Sequence, residues 1–161
     1  GGGRVRYAGH EQIWQHLHRH ALADVFLDNM EYNGGTTGLD ALWADVPIVS
    51  APMEKFSARY GASFNAGAGL QMLTARGWED YARLASALAN RPRELGLIRG
   101  SLHSSKASSP LFDTRRFAAS FGRLLSLLWD ISHSQGGVLR TLRFHTSIAG
   151  AGDAPPPAAW A

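Results

Sequence analysis

The fold is decided by the stretch at residues 23–37, which reads ADVFLDNMEYNGGTT. Its first part, residues 23–28, is a short apolar run bounded by acidic residues, which is typical of a buried strand in a parallel sheet. A polar turn follows at residues 29–35, and Thr36 or Thr37 is expected to cap a helix that begins there. A strand that passes through small residues directly into a helix predicts one half of a βαβ unit.

The residues before this stretch continue the alternation. Residues 4–8 predict a short strand, and a helical pattern begins at His10. Apolar residues recur along this helix at i, i+4 and i+8 and are expected to face the core: Ile13, Leu17 and Ala21. The polar residues between them, which include His16 and Arg19, are expected to face solvent or a ligand.

The residues after it repeat the unit. The helix that starts at the turn is expected to end near Trp43, residues 47–50 predict the next buried strand, and residues 54–65 predict another helix. Three strands alternating with helices indicate an α/β fold with a Rossmann-like parallel sheet and right-handed crossovers. A doubly wound lobe generally has more strands, so further strands are expected upstream of this segment.

The second half predicts helices. Apolar residues share one face over residues 78–88, Pro92 separates this helix from the next one at 92–105, and residues 108–113 form a loop. Asp113 or Thr114 is expected to cap a long helix with an apolar side. Residues 132–161 are rich in Gly, Ala and Pro and are expected to be a disordered tail, which leaves residues 4–131 as the folded domain.

Composition excludes several classes of function. The 161 residues contain no Cys, which rules out disulfides and thiolate metal sites and fits a cytoplasmic or nuclear location. The net charge of +3 comes from scattered arginines without a basic run, so no nucleic-acid partner is expected. No apolar run reaches the length of a membrane span, so no membrane association is expected either.

The turn at residues 29–37 carries the chemistry. In a parallel sheet, ligands bind at the carboxyl ends of the strands, and a helix start offers free N–H groups with a partial positive charge. Phosphate oxygens suit such a site, and the hydroxyls of Thr36 and Thr37 add donors to it. Locally, the turn fits an ordinary capped strand-to-helix connection equally well, since it matches neither a P-loop nor G-x-G-x-x-G.

Several motifs, in order, carry a resemblance that covers residues 4–130. They are LADVFLD at 22–28, YNGGTTGLDALW at 32–43, VPIV at 46–49, SSPLFDT at 108–114 and the pair Leu128-Trp129. Together they resemble the C-terminal catalytic lobe of the O-GlcNAc transferase/SPINDLY family. The resemblance implies a GT-B glycosyltransferase, with two Rossmann-like lobes and a nucleotide sugar in the cleft between them.

The resemblance also implies roles for six residues. Gly35, Thr36 and Thr37 would hold the diphosphate, Asp40 would hold the ribose, and two α-helical residues would lie near the uracil and ribose: His16 and Arg19. The complete protein would transfer GlcNAc from UDP-GlcNAc to Ser or Thr hydroxyls of proteins, with inversion and without a metal. His16 and His20, at i and i+4, lack a third metal ligand. No catalytic residue can be assigned.

Departures from the family leave alternatives open. O-GlcNAc transferase has a His where this chain has Gly35 and a Gly where it has Met53. Another donor such as GDP-fucose, another acceptor, or a non-catalytic nucleotide-binding or interaction module therefore remain alternatives. The family lysine that supports the leaving group, the N-terminal catalytic lobe and the TPR repeats have no match here, so the chain is expected to be an inactive fragment of a longer protein.

Overall fold

The computed structural model describes residues 3–134. It divides into two compact units after Ala118, and the first holds every helix and strand except most of the last helix, Thr114–Ser134. The tail expected from residue 132 lies, beyond Ser134, outside the described residues. No helix among the described residues is long and apolar enough to cross a membrane.

Helices dominate the architecture. In chain order the elements are α1 (Ile13–His20), β1 (Phe26–Leu27), α2 (Gly35–Trp43), β2 (Ile48–Val49), α3 (Tyr60–Gly67), α4 (Trp78–Asn90), α5 (Pro92–Ser105) and α6 (Thr114–Ser134). Three single 3-10 turns join them, at Phe56–Ala58, Gln71–Leu73 and Lys106–Ser108.

The two strands pair in parallel, with Phe26 opposite Ile48 and Leu27 opposite Val49. Ser50 extends this edge through a parallel bridge to Thr74. A strand, a crossover helix and a parallel strand are the predicted βαβ unit, so the α/β fold class is confirmed. The core lies between β2 and the helices that flank it. Its most buried apolar residues include Leu42, Ile48, Val49, Leu73, Tyr81, Leu88, Leu95 and Leu102.

The N-terminal segment differs from the expectation. Residues 4–8 form no strand in the structure, because Val5 and Tyr7 are 87% and 95% exposed and pair with no described strand. The core-facing stripe of α1 is wrong at two of its three residues: Ile13 is 62% exposed and Ala21 is exposed, whereas Leu17 is half-buried. The half-buried side of α1 carries mainly polar residues instead, because the surface that it covers is the polar face of α2 at Asp40.

The N-cap of α2 lies two or three residues earlier than predicted, at Gly34 and not at Thr36 or Thr37. The helix begins at Gly35 after Gly34, and no side chain caps it. Thr36 and Thr37 therefore lie inside the first turn with exposed side chains, so neither is the cap. The cap prediction failed because the buried carboxylate of Asp28, directly after β1, holds the Gly34 amide, as described below.

The helical half agrees with the sequence. Both bounds of α5 are as predicted. Its start is set by Pro92, which supplies the fixed φ that suits a first helical position. Asp113 caps α6, since its Oδ1 accepts a hydrogen bond from the Arg116 amide at 2.9 Å. In α4, Tyr81 and Leu88 are buried as expected, whereas Trp78 is 68% exposed.

Candidate functional site

A buried carboxylate supports the turn from below. Asp28 follows β1 directly and is 5% exposed. Its Oδ1 accepts a hydrogen bond from the Gly34 amide at 2.8 Å, and its Oδ2 accepts one from the Ser50 hydroxyl at 2.8 Å. The Tyr81 hydroxyl donates to the Asp28 carbonyl at 2.8 Å. One residue thus ties the turn to both strands and to α4, and fixes where α2 begins.

An asparagine and a glycine complete this support. Asn33 is 1% exposed, its Oδ1 accepts a hydrogen bond from the Gly61 amide at 3.0 Å, and its Nδ2 donates to the Asn29 carbonyl at 2.6 Å. A Cβ at Gly61 would lie 2.2 Å from Asp28 Oδ2 and 2.3 Å from Ser50 Oγ. Only a glycine allows α3 to approach the turn this closely.

The start of α2 leaves two amides available. No described residue accepts a hydrogen bond from the backbone N–H of Thr36 or Thr37. These amides and the two threonine hydroxyls lie beside a cavity of about 600 Å³ that Tyr32, Gly35 and Tyr60 also line. Because free N–H groups at a helix start carry a partial positive charge, the cavity favours an anion such as a phosphate.

A second cavity, of about 610 Å³, opens further along α2. His16, Arg19 and Asp40 line it together with residues 7–13. His16 Nε2 lies 3.6 Å from Asp40 Oδ2, and a nitrogen of the Arg19 guanidinium donates to the Gly9 carbonyl at 2.7 Å. Asp40 stands one helical turn after Thr36, so the carboxylate and the phosphate-type turn share one side of α2.

The six residues expected at the site fall into these two cavities. Gly35, Thr36 and Thr37 line the first cavity, whereas His16, Arg19 and Asp40 line the second. The structure thus brings together, on and beside α2, residues that are up to 24 positions apart in sequence, counted from His16 to Asp40.

Sequence reasoning missed the supporting residues. Asp28 directly follows β1, which is not the buried strand that the sequence predicted, since Leu27 is 59% exposed. An acid at the end of a strand and before a glycine-rich turn is the signal that could have identified Asp28. Gly61 and Tyr60 gave no signal, because their importance depends on which helix packs on the turn. Tyr60 forms a wall of the first cavity, and its Cδ2 would lie 3.7 Å from a Cβ placed on Gly35.

The departure at Met53 shapes only the loop before α3. Met53 is 44% exposed, its amide donates to the Ala58 carbonyl at 3.2 Å, and its carbonyl accepts a hydrogen bond from Arg59 Nε at 2.8 Å. Among residues 3–134, no group of three or more His, Asp or Glu side chains is arranged to hold a metal ion.

The sequence of this chain matches the model of one protein family. The model of the glycosyl transferase family 41 matches residues 4–121, which is most of the chain. The chain belongs to glycosyl transferase family 41. Its predicted kinship with the O-GlcNAc transferase/SPINDLY group is thereby confirmed.

Relatives in family 41 give the same result. The chain is 36% identical over 123 residues to a probable UDP-N-acetylglucosamine–peptide N-acetylglucosaminyltransferase, SEC, of Arabidopsis thaliana, covering 76% of this chain and 12% of that protein. It is 33% identical over 115 residues to the UDP-N-acetylglucosamine–peptide N-acetylglucosaminyltransferase of Caenorhabditis elegans, covering 71% of this chain and 10% of that protein. The chain therefore spans about a tenth of the length of these curated relatives.

A solved structure of the family extends the likeness to three dimensions. A mutant of the Thermobaculum terrenum O-GlcNAc transferase superposes with a TM-score of 0.57 at 32% identity, covering 66% of this chain and 21% of that one. The described fold is thus that of part of a GT-B lobe, as the sequence predicted.

Proposed function

We propose that this chain is the donor-binding part of a protein O-glycosyltransferase that transfers GlcNAc from UDP-GlcNAc to Ser or Thr hydroxyls of proteins. The observation that carries the proposal is the open start of α2, where the amides of Thr36 and Thr37 face a cavity without a described partner. The relatives' names, which specify a UDP-N-acetylglucosamine donor and a peptide acceptor, support the choice of substrates.

Each part of the donor has a matching group along α2. The diphosphate would lie on Gly35, Thr36 and Thr37, where backbone amides and hydroxyls donate to its oxygens. The Asp40 carboxylate only accepts hydrogen bonds when ionised, which suits the hydroxyls of the ribose. The second cavity, at His16 and Arg19, would take the rest of the nucleoside.

The chemistry that this chain supplies is stabilisation of the leaving group. When the acceptor oxygen forms its bond to the anomeric carbon, its hydroxyl proton passes to a base outside this chain or to water. The bond from the anomeric carbon to the diphosphate breaks, and UDP departs with the electron pair and its negative charge. Fixed N–H donors at the start of α2 stabilise this charge without reorganising, and no metal ion is required by this scheme. The acceptor side and the catalytic residues belong to the longer protein, so this segment alone is expected to bind the donor without turning it over.

A proline substitution tests the role of the Thr36 amide. The first turn of a helix tolerates proline, so Thr36→Pro removes one N–H and preserves α2, whereas Thr36→Ala removes the hydroxyl and keeps the N–H. By isothermal titration of the chain with UDP, we expect Thr36→Pro to weaken binding about tenfold or more, since a charge-assisted hydrogen bond is lost. Thr36→Ala should weaken binding less, and circular dichroism should show the same helix content in both variants.

The ligand series decides between the proposal and its alternatives. UDP should bind more tightly than uridine, and Thr36→Pro should leave the affinity for uridine unchanged. Preference for GDP would favour a different nucleotide sugar, which the absence of a side chain at Gly35 permits. If neither UDP nor GDP binds at millimolar concentration, the chain is not a donor-binding module. The cytoplasmic or nuclear location stays a prediction.

A further inference from the structure

Three side chains on the half-buried side of α1 form a continuous hydrogen-bonded chain. A guanidinium nitrogen of Arg19 lies 3.2 Å from His16 Nδ1, and His16 Nε2 lies 3.0 Å from His20 Nε2. The rings of His16 and His20 stand at 90° with their centroids 4.5 Å apart. Asp40 Oδ2 lies 3.6 Å from the same His16 Nε2, so His20 and the Asp40 carboxylate compete for one proton.

The donors and acceptors fix where the protons are. Arginine only donates, so His16 Nδ1 accepts from Arg19 and carries no proton. A neutral His16 then has its proton on Nε2 and donates it to His20 Nε2. His20 Nε2 is therefore the acceptor, and the proton of a neutral His20 is on Nδ1. Arg19 thus selects the Nε2–H form of His16 and, through it, the Nδ1–H form of His20.

We infer that His20 is a positioning residue for the donor site: it accepts the Nε2–H of His16 and so leaves the Asp40 carboxylate available for hydroxyl groups of the nucleoside. The inference rests on the proposed function, since it concerns the same cavity. Without an acceptor at position 20, His16 would turn its Nε2–H to Asp40, which is the next acceptor within reach. The carboxylate would then be occupied before a ribose hydroxyl arrived.

Protonation of His20 should have the same effect. Burial, the neighbouring His16 and Arg19 lower the pKa of His20 below its ordinary value of 6.5, although Asp40 acts in the opposite direction. Tyr7, His10 and Glu11, from the segment before α1, are the other titratable residues that line the same cavity. Once protonated, His20 presents an N–H to the N–H of His16, so the hydrogen bond is lost as the pH falls through this lowered pKa.

Nitrogen-15 NMR of the histidine rings tests the proton positions without any ligand. At pH 8 the ring signals of His20 should show the Nδ1–H form, and those of His16 the Nε2–H form. The signals are assigned by their loss in His20→Gln and His16→Gln. His18 is the matched control, because it lies on the same helix, is exposed and, among the contacts of residues 3–134, meets only Trp14, whose carbonyl lies 2.7 Å from its Nδ1 and whose indole it meets edge-on. An Nε2–H form of His20 would overturn the inference, whether or not a nucleotide binds.

Titration with UDP-GlcNAc across pH tests the consequence for binding. This ligand is suitable because its phosphates are diesters and lack the ionisation near pH 6 of a phosphate monoester. Between pH 7.5 and 5.5 we expect the affinity of the unmodified chain to fall, with about fivefold, the size of one hydrogen bond, as the upper limit. His20→Gln keeps an acceptor that does not titrate, so its affinity should stay near that of the unmodified chain at pH 7.5 and should lose most of the pH dependence.

Two further variants separate the possible outcomes. His20→Leu removes the acceptor and should bind UDP-GlcNAc weakly at both pH values, whereas His18→Gln should behave as the unmodified chain does. If His20→Gln keeps the full pH dependence, or His20→Leu binds normally at pH 7.5, the positioning role is wrong. If no variant binds UDP-GlcNAc while the ring signals are as expected, the hydrogen-bonded chain stands and the proposed function fails.

Discussion

At the scale of single residues, the site has an accessible layer and a supporting layer. Thr36, Thr37 and Asp40 lie beside cavities and present ordinary donors and acceptors. Asp28 and Gly61 lie beneath them and determine where those groups point. Substitutions are expected to be tolerated less well in the supporting layer, because a Cβ on Gly61 would lie within 2.6 Å of atoms of Asp28 and Ser50.

Gly61 provides the test of this layer. Gly61→Ala would place a methyl group within 2.6 Å of three atoms of Asp28 and Ser50. We expect the free energy of unfolding to fall by about 1–3 kcal/mol, the usual range for an overfilled core. Chemical denaturation monitored by circular dichroism measures the change.

A glycine in open space is the matched control for this substitution. No atom lies within 4 Å of a Cβ built on Gly96, which is inside α5 and exposed. Gly96→Ala should therefore raise the free energy of unfolding by about 0.5–1 kcal/mol, since alanine favours the helix. Equal effects of the two substitutions would show that the supporting layer is not tightly packed.

Only the accessible layer of the site was predictable from the sequence. Thr36 and Thr37 follow a strand and a glycine pair, a local pattern that fits phosphate binding and an ordinary helix start equally well, so their role stays a prediction. The roles of Asp28 and Gly61 depend on contacts between segments 33 residues apart, and no periodicity encodes such a contact. The sequence placed His20 four residues after His16, without a third metal ligand, and gave no other role to it. The hydrogen bond between His20 and His16 is seen only in the structure.

At the scale of elements, polar contacts hold the end of α2 as well as its beginning. Asp45 follows the helix with a φ of 62°, a left-handed conformation that few residues other than glycine adopt. Its carboxylate lies 2.6 Å from Lys106 Nζ and 2.8 Å from His103 Nδ1, both near the end of α5. These contacts tie α5 to the helix that carries the site.

The ion pairs of Asp45 should make the free energy of unfolding depend on pH in the acid range. Burial alone would raise the pKa of Asp45, but hydrogen bonds from Lys106 and His103 outweigh it and hold the pKa below its ordinary value of 3.8. The stabilisation is therefore present above pH 3.8 and is lost as the pH falls through the lower pKa of the folded state. Asp45→Asn keeps a residue that tolerates positive φ and should lower stability at pH 7 by about 1 kcal/mol or less.

Thermal denaturation between pH 2.5 and 7 measures this dependence. The loss of stability below pH 4 should be smaller in Asp45→Asn than in the unmodified chain. Asp24→Asn is the control, because no described residue forms an ion pair with this exposed carboxylate, and its pH dependence should be unchanged. The same acid profile in both variants would contradict the role of Asp45.

The sequence predicted some elements better than others, for physical reasons. Both α4 and α5 were predicted closely because buried apolar residues recur along each helix seven residues apart, which is close to two helical turns. They are Tyr81 and Leu88 in α4, and Leu95 and Leu102 in α5. The strand at residues 4–8 was wrong because alternation alone does not supply a partner strand. α1 was oriented wrongly because it covers a polar surface, where apolar periodicity carries no information.

At the scale of the whole molecule, exposed apolar side chains are frequent, and the second unit has several. Phe121, Leu125 and Trp129 recur every fourth residue on α6 and are 49–66% exposed. Exposed apolar stripes of this kind favour association between molecules.

Self-association through α6 can be tested by changing charge. We expect the chain to form larger species as its concentration rises, and Leu125→Lys with Trp129→Lys to reduce them. The thermal midpoint should stay nearly unchanged because both side chains are already exposed. Analytical ultracentrifugation over a range of concentrations measures the effect. Ala119→Lys with Ser126→Lys adds the same charge elsewhere on α6, and an equal reduction by this pair would assign the effect to charge alone.

The walls of the first cavity differ in how much change they can accept. A Cβ on Gly35 would only touch the Tyr60 ring at 3.7 Å, whereas one on Gly61 would overlap Asp28. A small side chain at Gly35 therefore meets no atom of the carboxylate that holds the turn. Under the proposed function, Gly35 is thus a practical starting point for directed evolution of donor choice, because a new side chain there would alter the cavity and leave Asp28 in place.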